Sequence, residues 1–172
     1  MHICQIILVQ AEDVEDAFSL VENTLEGGYP TWSDWHNATN AHSKDFAGRW
    51  SGQVFADEKK PEELAPNYLR YSDDPALAEK VLSEWLEGRM ATLREYRGKM
   101  ADLNTVKYDP YTHSFDMSLY YALKVAQLLN DEWTPDSGVY DLTYGTADLS
   151  DFIERVKKEP TKQYLIPVDF HF

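Results

Sequence analysis

The spacing of apolar residues changes period along the chain, and each change marks an element. From Ile3 to Val9 nearly every position is apolar and many are β-branched. A strand with one wet face would alternate, so this run predicts a strand covered on both faces. A helical period follows at once. Val14, Ala17, Phe18, Val21 and Leu25 fall on one stripe, Asp13 stands at the capping position with Asp16 three residues on, and Gly27-Gly28 stops the helix. Near the C-terminus the same order returns. Val139–Tyr144 alternates as a strand does, and Asp148 is placed to cap a helix whose stripe is Leu149, Phe152, Ile153 and Val156. Pro160 ends it, and 163–172 reads as a final strand. Pro167 lies inside that strand and predicts an edge position or a bulge.

The two helix starts, Asp13-Val-Glu-Asp16 and Asp148-Leu-Ser-Asp151, share a pattern. With Arg49-Trp-Ser-Gly-Gln-Val-Phe55 as a further strand, the order becomes β-α-β, insertion, β-α-β. That order predicts an α+β fold of ferredoxin-like type, with a mainly antiparallel sheet. The strands near 2–9 and 139–144 should be central neighbours, and the helices near 13–26 and 148–158 should share one face. Residues 1–172 are read as one domain and 56–135 as a predominantly helical insertion. Within it, Pro75 follows Asp73 and Asp74 as a first helical residue. Ala78, Val81, Leu82, Trp85, Leu86, Leu93, Met100 and Leu103 then keep a helical period. Gly88 and Gly98 are places for a kink. Met117–Leu129 carries a second stripe of Leu119, Tyr120, Leu123, Ala126 and Leu129 or their neighbours, which predicts a helical hairpin across the loop 104–116.

Composition narrows the function classes. Hydrophobic residues make up 43% of the 172, enough for a sizeable core. The single cysteine, Cys4, excludes an internal disulfide and reads as a small core residue. No secretory signal and no apolar stretch of membrane-spanning length is visible, so a cytoplasmic protein without a membrane partner is expected. The net charge of −14 argues against direct binding to nucleic acid. It allows instead an acidic surface that meets a basic partner.

Two segments hold the densest chemistry: Trp32-Ser-Asp34-Trp35-His36 and Phe46-Ala-Gly-Arg49-Trp50-Ser-Gly52. Tryptophan offers a broad apolar face, and arginine stacks on such faces while presenting a planar fork of donors. Trp32, Asp34, Trp35, His36, Arg49 and Trp50 are therefore the candidate binding residues, suited to a planar or anionic small ligand or to a protein partner. The alternative is structural: the tryptophans cap one end of the core and Arg49 pairs with Asp34. His2 and His171 lie on the first and last strands and read as two half-exposed strand residues, with a pairing as the alternative if those strands are adjacent. Asp34, His36 and His42 lack the spacing and support of a metal site, and no metal or cofactor is expected. Nucleotide-binding glycine loops, a nucleophile elbow and a zinc-peptidase helix are all missing from the sequence.

The opening Met-His-Ile, the Trp32–His36 segment, the Gly48–Gly52 turn and the closing Tyr164–Phe170 resemble uncharacterised proteins of tailed phages. The resemblance implies a phage accessory protein acting in the host cytoplasm, and it carries no activity with it. The first functional reading is a non-enzymatic protein that binds a host protein or a small ligand through a Trp/Arg/His surface. The alternatives are a small hydrolase using Asp34, His36 and Arg49, and a structural protein that self-associates through its long helix.

Overall fold

The computed structural model describes residues 1–33, 46–56, 65–100, 108–109, 114–115 and 117–171. Strands β1 (His2–Gln10) and β6 (Gln163–His171) form the spine, antiparallel over their whole length from His2↔His171 to Gln10↔Gln163. On one side of that pair β5 (Val139–Asp141) joins β1 in parallel. On the other side β2 (Leu69–Arg70) joins β6 antiparallel, giving the order β2-β6-β1-β5. A separate two-stranded ladder pairs β3 (Tyr108–Asp109) with β4 (Ser114–Phe115).

Four α-helices are described: α1 (Val14–Glu26), α2 (Pro75–Lys99), α3 (Met117–Leu129) and α4 (Ser150–Lys158). Alternation along β1 and β6 sends side chains to two faces, and both faces are covered. Ile7, Val9, Tyr164, Ile166, Val168 and Phe170 lie under Ala17, Phe18, Val21 and Leu25 of α1. Ile6, Leu8 and Leu165 lie under Ala78, Val81 and Leu82 of α2 and Phe152 and Val156 of α4. Burying one such side chain stabilises the fold by roughly 1.5–3 kcal/mol, so two covers far outweigh one.

The architecture is thus α+β with a mixed sheet between helical layers, and it corrects the ferredoxin-like expectation at three points. The terminal helices α1 and α4 lie on opposite faces, because a strand apolar at nearly every position needs cover on both sides. The β1–β5 pair is neighbouring as expected, but it is parallel and β5 is an edge strand. The segment 49–55 is not a strand. Gly48 and Gly52 both have positive φ, +52° and +71°, and the chain runs through a 3-10 turn (Gly48–Trp50) and further turns. The short β2 takes the second strand's place, on the edge beside β6.

Pro167 is central, opposite Ile6. The amide of Asp169, two residues on, points away from β1 and donates to Phe46 O at 2.8 Å. Pro167 therefore turns its missing N–H the same way, beyond the reach of β2, and the ladder to β1 is not interrupted.

The helix starts follow local chemistry. Asp13 accepts from Asp16 N at 2.9 Å, and Asp74 accepts from Leu77 N at 3.0 Å with Pro75 in the first turn. Each cap stabilises its helix by about 1 kcal/mol. At α4 the cap position is Leu149, with no side-chain cap bond, so Asp148 stands one residue too early. The side chains of Asp151 and Ile153 lie outside the described residues. Helix α2 runs unbroken past Gly88 and Gly98 and packs against α3. The α3 stripe is corrected in its facing: Leu119, Tyr120, Leu123, Ala126 and Leu129 are exposed, whereas Leu128 is buried. Met117–Leu129 is apolar all round, so its period does not choose a face.

Candidate functional site

On the α2 face of the sheet, the long strands outrun the apolar cover. Below Ile6 the same face presents Cys4 and His2 from β1, with Asp169 and His171 opposite them on β6. There the 3-10 turn Gly48–Trp50 stands on one side and the middle of α2 on the other. Between them opens a cleft of about 670 Å³, lined by His2, Cys4, Trp50, Glu84, Trp85, Arg89 and Asp136 among others. That volume lies within the range of small-ligand sites.

Asp169, beside the cleft, holds His2 and the Gly48–Trp50 turn. Its Oδ1 meets His2 Nδ1 at 3.0 Å, and its Oδ2 accepts from Arg49 N at 3.2 Å. The Arg49 guanidinium follows at 3.7 Å from Oδ2. A carboxylate only accepts, so His2 Nδ1 carries the proton of this contact. The His2 and His171 rings meet edge to face at 4.8 Å. Gly48 makes this arrangement possible. A Cβ there would lie 2.6 Å from Asp169 Oδ2, and the positive φ also favours glycine. Cys4 is buried beneath. Burial, and then the charge of Asp169, push its thiol up to about 12, which keeps it protonated and unreactive.

The opposite wall comes from α2 and the segment 131–138. Gln5, fully buried on β1, donates to Thr134 O at 2.8 Å and accepts from Trp133 Nε1 at 2.7 Å. Trp133 stacks on Tyr140 with ring centroids 3.9 Å apart. This network fixes the loop that brings Pro135, Asp136 and Gly138 to the cleft. Gly138 has a φ of +71°, and a Cβ there would meet Trp85 Cε3 at 3.0 Å, so the Trp85 ring packs directly on the backbone. Arg89 spends its terminal nitrogens on Ala147 O, on Leu128 O at 2.6 Å and on Asp131 at 2.7 Å. Asp136 is held by Tyr96 Oη at 3.0 Å and Lys124 at 3.2 Å. Glu84 has Lys80 at 3.9 Å, a contact between two exposed side chains.

The structure brings Trp50 to the cleft, while the Arg49 side chain lies beside it against Asp169. Trp32 lies on the other face of the sheet, against Phe170 at 5.2 Å, with its Nε1 donating to Trp133 O at 2.8 Å. Asp34, Trp35 and His36, as well as His42, lie outside the described residues, and so does any Arg49–Asp34 pair. Sequence reasoning missed Trp85, Glu84 and Asp169. Each looks ordinary in its own segment, and only the strand register and the placing of α2 bring them together. Among the described residues no three His, Cys, Asp or Glu side chains converge to hold a metal ion, and no helix is long and apolar enough to cross a membrane.

Compared with family models, with curated proteins and with solved structures, the chain matches none.

Proposed function

We propose that this protein binds a small planar ligand in the cleft between the Gly48–Trp50 turn and α2, and that it does so without catalysis. The observation that carries the reading is the conjunction of Trp50, Trp85 and an oriented His2 around one cavity of about 670 Å³. Aromatic faces supply most of the contact area, and one fixed polar group sets orientation. The only thiol at the site is held protonated by burial, which favours binding over covalent chemistry. A phage accessory role in the host cytoplasm remains the setting that the sequence resemblance implies.

The test is a panel of planar aromatic compounds of positive, neutral and negative charge, titrated by calorimetry against the parent and against Trp85→Ala. At least one compound should bind the parent with a Kd in the micromolar to millimolar range. Trp85→Ala should weaken it at least tenfold, about 1.4 kcal/mol. Circular dichroism should show the variant folded. Binding unchanged in Trp85→Ala, or no binding across the panel, would contradict the proposal.

A further inference from the structure

We infer that the ligand is a planar organic cation rich in N–H donors, of the amidinium or guanidinium class. This rests on the cleft being a ligand site, and it adds the chemistry that the site selects.

The polar groups of the cleft are unequal. Its cationic side chain, Arg89, is tied to two backbone carbonyls and to Asp131. Arg49, a candidate binding residue from the sequence, is turned to Asp169. The side-chain amide of Gln53 donates to Arg49 O at 3.0 Å. The Arg89 guanidinium is therefore engaged within the protein, and so is Asp136 through Tyr96 and Lys124, while Arg49 reaches Asp169 at 3.7 Å and Trp50 Nε1 is buried without a partner among the described residues. Glu84 has only the 3.9 Å contact with Lys80 among the described residues. A cation that donates satisfies this carboxylate.

Charge points the same way. Glu84 and Trp85, successive residues of α2, both line the cleft, so an acidic residue and an indole share its wall. Indole faces attract cations through the ring quadrupole. The chain's net charge of −14 adds a long-range field that concentrates cations and repels anions. An amidinium or guanidinium combines a flat body for the tryptophans with a fork of donors for a carboxylate.

Three probes of nearly one shape isolate the claim: benzamidinium, benzamide and benzoate. Each is titrated by calorimetry into the full chain at low and at ~150 mM salt, a range over which screening weakens exposed charge pairs. Benzamidinium should bind at least tenfold tighter than benzamide, and benzoate more weakly than either. Glu84→Gln should bring benzamidinium down to the level of benzamide and leave benzamide unchanged. Equal binding of benzamidinium and benzamide, or tightest binding of benzoate, would overturn the inference and leave planar binding in place. Failure of all three would overturn the amidinium class, and the wider aromatic panel would then decide whether the cleft binds anything. Loss of benzamide binding in Glu84→Gln would show damage to the cleft rather than loss of a charge contact, and would also count against the inference.

Discussion

Asp141→Asn should unfold this protein far more easily than a change of one atom suggests. Asp141 is the last residue of β5, and its side chain is 1% exposed. Its carboxylate accepts from Thr143 N at 3.0 Å and Tyr144 N at 3.4 Å through Oδ1, while Oδ2 faces the guanidinium of Arg155. Arg155 is also buried, lies 4.1 Å from the Tyr144 ring centre, and has Nε and Nη1 buried without a hydrogen-bond partner. Burial pushes the Asp141 carboxyl up from its ordinary value, and Arg155 pulls it partly back. Asparagine keeps the Oδ1 acceptor and replaces Oδ2 with a donor that faces the Arg155 donors, so the ion pair and its hydrogen bond are removed. Breaking a buried pair costs about 3–5 kcal/mol, because the remaining charge stays buried and uncompensated. Against a total stability of about 5–15 kcal/mol this is a large fraction, and it corresponds to a Tm roughly 6–20 °C lower.

The double variant makes the reasoning testable. Asp141→Asn with Arg155→Met removes both charges and keeps an unbranched chain over Tyr144, so most of the loss should return. Urea unfolding followed by circular dichroism reads all four corners of the cycle. A loss below about 1 kcal/mol for Asp141→Asn, against the 3–5 kcal/mol for a broken buried pair, would refute the argument. A double variant as unstable as the two singles combined would refute it too.

Gly48→Ala should cost about 2–3 kcal/mol, from left-handed strain of about 1–2 kcal/mol and displacement of Asp169, and the His2 imidazole resonances should shift. Gly98→Ala, where a Cβ meets nothing within 4 Å, should instead stabilise α2 by about 0.5–1 kcal/mol. Cys4 should resist alkylation in the native state at pH 8 and react only as the protein unfolds in denaturant. Because its thiol is raised to about 12, stability should fall as pH climbs from about 9 toward 12, and Cys4→Ala should flatten that fall. The protein should pass unretained through a duplex DNA column at ~150 mM salt; retention there would contradict the reading of its charge.

The parts of the fold that were legible in the sequence are those set by local rules. Asp13 and Asp74 cap their helices, Pro75 opens α2, and the apolar run of β1 is buried on both faces. The same run already argued against helices on one face, since a strand without alternation needs two covers. The segment 49–55 misled because its β-like residues outweighed two glycines whose positive φ turns the chain. The α3 stripe misled because that helix is apolar on every side. The site was half legible. Trp50 and Arg49 stand out locally, whereas the contact of His2 with His171 needs the first and last strands to be neighbours. The meeting of His2 with Asp169, and of Trp50 with Trp85, depends on register and on which face α2 covers, and no short-range pattern encodes either.

The cleft itself is tested most directly by the indole N–H resonances of the five tryptophans during titration with benzamidinium. Single Trp→Phe variants assign each signal. The account predicts saturable shifts for Trp50 and Trp85, with Trp32 and Trp133, on the other face of the sheet, holding their positions. Shifts confined to Trp32 or Trp133, or no shift at Trp50 and Trp85 at a concentration where calorimetry reports binding, would place the ligand elsewhere and contradict the account.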